Sequence, residues 1–389
     1  MKTMTRIGIV LMAAGCAGPE LPAEAWYQCT ASSTPDHPEA ERYQRLVDDA
    51  LTAGTTAVSV AVIDDHGLWA GAGGMADLEQ QIPAAPCHRF YFASVTKTFA
   101  ASTALRLDED DVWSLDDQAV DYLPEEVIDK IANLDIDDPK KGVTLRHLLQ
   151  HTSGIPDYLS AAYFMEAFNG GLTGDSAAGE LEWAYNRAPM FAPGEDFEYS
   201  NANYLLLSLA IEEATGAEAY DVVHKMVTTP LGLTDTLGRS ENPNAIARGY
   251  ADMHGNGVLM DHTELTESVM LGAGKLDGGL VSTPTDVANL LHALSDDTLL
   301  QTSSFLEMSD FFEYEPGEDD GPEDGYGLGL ARIKTDHGIG WGHYGGVYPY
   351  QSAAFHFPER NTTVVVVVSG YTEDVTDWIN GQAIYNTVF

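Results

Sequence analysis

Apolar residues recur along this chain with two different periods, and the switches between them outline a fold. Tyr43, Leu46, Val47, Ala50 and Leu51 fall at helical spacing, which predicts an amphipathic helix over residues 40–53. Residues 58–63, apolar except for Ser59, and 68–70, split by Asp64, Asp65, His66 and Gly67, predict a β-hairpin. The middle of the chain reads as mostly helical. Residues 202–215 are apolar on most faces and stop at Gly216, a residue suited to the position just past a helix end. Pro284 opens a further helix through Leu294, because its fixed φ suits a first turn. Strand character returns late: residues 350–357 alternate, and Thr363 followed by five valines reads as a buried central strand. Residues 374–388 are expected to close the chain as one helix. Strands at both ends with helices between place the protein in the α/β (α+β) class, with one sheet built from both termini and a mostly helical subdomain inserted.

Only one tether breaks the pattern. Residues 17–39 carry Pro, Ser and Glu without periodicity and read as a linker, leaving residues 40–389 as one catalytic-sized unit. The acidic stretch from Glu313 to Asp324 is expected to be a surface loop. Hydrophobic residues make up 44% of the chain, enough for a sizeable core. The 19 Lys and Arg against 60 Asp and Glu give a net charge of −41, which repels a phosphate lattice, so nucleic acid and anionic membrane surfaces are not expected partners.

Residues 1–16 combine a basic start with a short apolar run and read as an export signal, too short for a spanning helix. Small residues before Cys16 resemble a lipoprotein cleavage site, although Ala13 stands where Leu is usual. Cys16 is therefore a lipidation candidate, with ordinary secretory cleavage as the alternative, and a periplasmic or cell-surface location follows. Cys29 and Cys87 then remain as an even pair and a disulfide candidate in an oxidising compartment. No zinc-type Cys/His spacing and no HExxH motif occurs, so no metal is expected. Gly71, Gly73 and Ala76 form a GxGxxA pattern inside the hairpin region. It opens no helix, so no nucleotide or other cofactor is implied.

Three short motifs carry chemistry. Ser94 and Lys97, at i and i+3 before a long helical segment, share one face, so the amine can reach the hydroxyl. A serine hydroxyl is a weak nucleophile until a neighbouring base takes its proton. Its backbone N–H, at a helix start, can stabilise an oxyanion. Tyr199, Ser200 and Asn201 sit at a loop-to-helix junction, where a phenol can relay a proton and a carboxamide can hold a substrate carbonyl. Trp341, Gly342, His343, Tyr344, Gly345 and Gly346 precede the alternating strand. Glycines there permit close approach by a ligand, and the Gly346 N–H is a candidate second oxyanion donor.

The ordered set SxxK, YxN and HxG resembles the serine β-lactamase and penicillin-binding protein superfamily, most of all the branch of class C β-lactamases and D-Ala-D-Ala carboxypeptidases. Residues 144–158, 230–233, 278–284 and 326–329 extend the resemblance over essentially residues 40–389. It implies an antiparallel sheet flanked by helices and an exported serine hydrolase acting through an acyl-enzyme. The favoured substrate is a D-Ala-D-Ala or other D-peptide; an esterase or a class C-like β-lactamase is the alternative, and a surface lipoprotein without turnover is the reading from outside enzymology. Ser94 would be the nucleophile, Lys97 and Tyr199 the shared base, and Asn201, His343, Tyr344 and Gly345 the substrate-binding residues. The N–H groups of Ser94 and Gly346 would form the oxyanion hole. The segment 151–154 (His, Thr, Ser, Gly) falls before Tyr199 and reads as a turn ending a helix. Relatives that bind a substrate carboxylate carry Thr between the Lys or His and the Gly. Tyr344 takes that place, which weakens the case for β-lactams and a free C-terminal D-Ala and leaves room for esterases and D-amino-acid amidases. Trp341, Tyr344, Tyr348 and Tyr350 are candidates for an aromatic acyl pocket, with alternation sending some to the core. The resemblance leaves the oligomeric state open.

Overall fold

The computed structural model describes residues 34–134, 142–168, 176–238, 246–252, 256–266, 275–314 and 322–389. The expected export signal, Cys16, Cys29 and most of the linker lie outside these residues. Helix α1 spans Ala40–Ala53 and stops at Gly54 in the left-handed region. The hairpin follows as β1 (Ala57–Asp64) and β2 (Gly67–Asp77), with β3 (Ile82–Pro83) and β4 (Phe90–Tyr91) after it. Helix α2 spans Thr96–Glu109. A largely helical stretch contains only the short strands β5 (Tyr250–Ala251), β6 (Met260–Asp261) and β7 (Val281–Ser282) among the described residues. The chain then adds β8 (Phe312–Glu313), β9 (Glu323–Tyr326), β10 (Ala331–Thr335), β11 (Gly338–Val347), β12 (Tyr350–Phe357) and β13 (Thr362–Ser369).

Nine of these strands form one antiparallel sheet in the order β3-β2-β1-β13-β12-β11-β10-β9-β8. The termini meet where β1 pairs with β13, Ala57 opposite Ser369 and Ile63 opposite Thr363. Both sheet faces are covered. Val58, Val60, Val364, Val366 and Phe355 pack towards α1 and the C-terminal helices. Ala57, Ala61, Ala354, Val365 and Val367 pack towards α2 and the helix Pro284–Ser295. That double cover explains why all eight residues of β12 and of β13 are buried. The alternating pattern of residues 350–357 therefore does not mark a solvated face; His356, Gln351 and Ser352 point into covered layers and are hydrogen-bonded there.

Three expectations change. The closing helix is two helices, Glu373–Asn380 and Ala383–Val388, broken where Gly381 turns extended. The ends of the acidic stretch are strand, since Phe312 and Glu313 pair with Tyr326 and Gly325; residues 315–321 lie outside the described residues. The last part of the linker is fastened down: Thr34 exchanges hydrogen bonds with Ala70, and His37 bonds Asp64 at 3.2 Å. Among the described residues, no helix is long and apolar enough to cross a membrane.

Candidate active site

Ser94 lies in a 3-10 turn, Ala93–Val95, that feeds directly into α2. Ala93 adopts φ 47°, a left-handed backbone that costs an alanine roughly 1–3 kcal/mol and persists only where surroundings impose it. The surroundings are specific. The Ser352 hydroxyl donates to the Phe92 carbonyl at 3.0 Å, and Thr96 Oγ1 accepts the Leu280 N–H at 3.1 Å. Strand β11 presses on the same turn. A Cβ at Gly345 would stand 2.1 Å from the Phe92 carbonyl oxygen, so only glycine lets the strand come this close. Gly346, next along, faces open space and borders the cleft beside Ser94.

Lys97 is fully buried one turn below the serine. Its Nζ donates to Ser94 Oγ at 3.1 Å, to Asn201 Oδ1 at 2.8 Å and to the Asp277 main-chain carbonyl. All three acceptors are uncharged, so desolvation dominates and lowers the ammonium pKa to about 8; the charges of Asp277 and Asp157 pull the other way. The Tyr199 ring centroid is 5.0 Å from Nζ. Burial raises the phenol well above its usual range, with Ser94 opposing, and its hydroxyl makes no hydrogen bond of ordinary geometry. Tyr199 is thus a neutral phenol beside the nucleophile with its proton uncommitted.

Asn201 opens the helix Asn201–Thr215 and is turned by Asp157. The Asp157 carboxylate accepts the Asn201 N–H at 3.1 Å and its Nδ2–H at 2.9 Å, which leaves Oδ1 for Lys97. Oδ1 and one Nδ2 hydrogen of this carboxamide are engaged inside the protein, so Asn201 positions Lys97 while also lining the cleft beside Ser94. Asp157, Tyr158 and Asp277 were not singled out in the sequence. Tyr158 donates to the Asp277 carboxylate at 2.7 Å, holding the loop whose carbonyl faces Lys97. Their signal was their place inside, or directly before, stretches 144–158 and 278–284.

The third motif is divided between the two faces of β11. His343 is buried, and burial lowers its pKa to about 3. With Nδ1 2.5 Å from the Tyr344 carbonyl and Nε2 2.7 Å from the Tyr326 hydroxyl, the neutral ring donates from the first and accepts at the second. Tyr344 lies 3.2 Å, hydroxyl to hydroxyl, from Tyr385 on the opposite side of the sheet. His151 belongs to the same buried aromatic cluster, its ring 4.2 Å from that of Tyr199, with φ 59° in the turn after the helix Leu145–Leu149. Cys87 is disulfide-bonded. Among the described residues, no group of three or more His, Cys, Asp or Glu stands where it could hold a metal ion.

Two lobes of one cleft meet at Ser94, Gly346, Gln351 and Asn380. The first, about 480 Å³, is lined by Asn201, Leu159, Phe164, Val347, Tyr348 and Tyr371 among others. The second, about 600 Å³, is lined by Tyr199, Phe197, Tyr314, Glu198, Glu323 and Tyr344 among others. Of the four expected pocket aromatics, Tyr348 and Tyr344 reach different lobes, while Trp341 and Tyr350 go to the core. A further cavity of about 640 Å³, between the start of α1 and the turn Pro358–Arg360, is bordered by no Ser/Lys pair.

Known proteins fit this geometry. The family model described as Beta-lactamase matches residues 43–385. The chain is 29% identical over 239 residues to a penicillin-binding protein of Bacillus subtilis, covering 59% of this chain and 50% of that one. It is 33% identical over 223 residues to the esterase EstB of Burkholderia gladioli, covering 55% of each. A D-aminopeptidase of Gluconobacter oxydans is 25% identical over 310 residues, or 79% of this chain and 55% of that one. The chain thus spans about half the length of the curated relatives it matches. A solved D-stereospecific amidohydrolase from Streptomyces sp. superposes with TM-score 0.72 at 26% identity, covering 88% of this chain and 98% of that one. The ordered motifs, the fold around them and the match over nearly the whole described chain agree, and the protein belongs to the beta-lactamase family of serine hydrolases and penicillin-binding proteins.

Proposed function

We propose that this protein is an exported serine hydrolase that acylates Ser94 and then releases the acyl group to water. The observation that carries the reading is Lys97: a desolvated amine 3.1 Å from the serine hydroxyl, held only by uncharged acceptors. Its free form takes the Ser94 proton as Oγ bonds to the substrate carbonyl carbon. The carbonyl oxygen gains charge between the N–H groups of Ser94 and Gly346, where losing one such donor typically costs about 100- to 1000-fold in rate. The neutral Tyr199 phenol passes its proton to the departing nitrogen or oxygen and takes back from the Lys97 ammonium the one that came from Ser94, and the bond to the leaving group breaks. Water then repeats the sequence against the acyl-serine.

The acyl group occupies the first lobe, whose Leu159, Phe164, Tyr348 and Tyr371 suit an apolar side chain. D-aminoacyl amides and D-peptides are the leading substrates, supported by the D-aminopeptidase and the D-stereospecific amidohydrolase that the chain resembles. Ester hydrolysis is the second reading, favoured by EstB and by a third motif in which His343 is neutral and Tyr344 is bonded to Tyr385. Export rests on the leader and on the disulfide at Cys87, with a lipid anchor at Cys16 as part of the same proposal. A fluorophosphonate probe tests the chemistry: wild-type protein is labelled at Ser94 and Ser94→Ala is not. Equal labelling of both would sink the assignment.

A further inference from the structure

The leaving group must depart beside the residue that protonates it. Tyr199 borders the second lobe and not the first, so the acyl-enzyme reading makes this lobe the leaving-group side. Its wall carries two carboxylates, Glu198 and Glu323, the latter accepting the Tyr314 hydroxyl. Among the described residues lining it, none is Lys or Arg. Both ring nitrogens of His343 are spent within the protein. Glu323 also disfavours ionisation of both Tyr199 and Tyr344, so its charge is felt across the lobe.

Resting on the acyl-enzyme reading, we propose that Glu198 and Glu323 select the leaving group by charge, admitting neutral or cationic amines and alcohols and turning away those that carry a carboxylate. The reaction itself is unchanged. Ser94 Oγ bonds to the acyl carbon, the bond to the leaving nitrogen or oxygen breaks, and the serine proton ends on that atom. The second charge of the leaving group takes no part in bond making, but it must sit against two like charges in a partly enclosed space, where such juxtapositions are costly.

Three acetate esters separate the possibilities, because the transferred acetyl is the same in each. Their leaving groups are 4-nitrophenol (neutral at the ester stage), 5-hydroxy-2-nitrobenzoate (anionic) and 3-hydroxy-N,N,N-trimethylanilinium (cationic). Phenol release and acetylation of Ser94, read by intact mass, give the acylation rates. The cationic-to-anionic ratio, corrected for the reactivity of each ester towards hydroxide, is expected to be at least about 10 at low salt. It should fall several-fold in the Glu198→Gln/Glu323→Gln double variant, and also in 1 M NaCl, where charges are screened beyond about 3 Å. A ratio near 1 in the wild type, or one untouched by the double variant, overturns the proposal while leaving Ser94 as nucleophile. Release from Ser94→Ala as fast as from the wild type would overturn the acyl-enzyme reading itself.

Discussion

Replacing Gly345 with Ala tests whether the contact between β11 and the serine turn sets the geometry of acyl transfer. The added Cβ would lie 2.1 Å from the Phe92 carbonyl oxygen and 2.4 Å from Ser352 Oγ, and neither can rotate away cheaply. The first is backbone, and the second is the hydroxyl that already holds that backbone at 3.0 Å. Opening the gap to 3.0 Å, below which real Cβ atoms essentially never sit, requires the strand and the turn to part by about 0.9 Å. The ladders on both sides of β11 resist that shift, as does the strained Ala93 turn. Overpacking of this kind costs about 1–3 kcal/mol of stability. The larger effect falls on chemistry, because the Gly346 N–H moves away from Ser94, and a misplacement near 1 Å can cost about 100-fold. Second-order labelling of Ser94 by a fluorophosphonate, alongside a thermal melt, measures both. Gly346→Ala, whose Cβ meets nothing within 4 Å, should melt near the wild type. Wild-type labelling and wild-type melting in Gly345→Ala would refute the argument.

Two further outcomes follow from the surroundings of Lys97. Since only its free amine can accept the serine proton, acylation should rise with pH from 6 and level off above about 8, the pKa that burial gives it. Lys97→Ala should lose that limb and acylate roughly 100- to 10,000-fold more slowly, whereas a flat wild-type profile would remove lysine as the base. Asp157→Asn takes away a negative charge that favours the ammonium, so the limb should move to lower pH. The plateau should also drop, because Asn201 loses one of its two carboxylate acceptors and no longer presents Oδ1 reliably to Lys97. A limb that moves upward in this variant would contradict the electrostatic assignment.

Much of the protein was legible because its signals are local. Helical spacing located α1 at its observed residues, and the alternating and valine-rich runs located β12 and β13 within a residue. Gly216 ends its helix in the left-handed conformation, and Pro284 begins the helix Pro284–Ser295. Ser94 and Lys97 were readable as a pair because one helical turn brings i and i+3 together whatever surrounds them. The order of the three motifs is a property of the linear chain, and it points to the family in the same way.

What remained was decided by neighbours distant in sequence. Burial, not residue type, sets the state of Lys97, and the carbonyl and carboxamide that hold it come from 180 and 104 residues away. Asn201 faces inward because Asp157 claims its other end, and His343 is neutral because burial, with the charge of Lys97 nearby, disfavours a second ring proton. The alternation of residues 350–357 marks β12 as a strand but leaves its setting open, because its polar members are satisfied by partners from distant segments, Gln351 by Thr376 and Ser352 by Phe92. Glu198 and Glu323, 125 positions apart by numbering, meet in one lobe only because β9, one strand in from the sheet edge, brings Tyr326 within 5.9 Å of Tyr199, ring to ring. The sequence determines its elements and its nucleophile through contacts within a turn or a strand; the fold determines charge, orientation and access, because desolvation and shape depend on whichever segments close over a group.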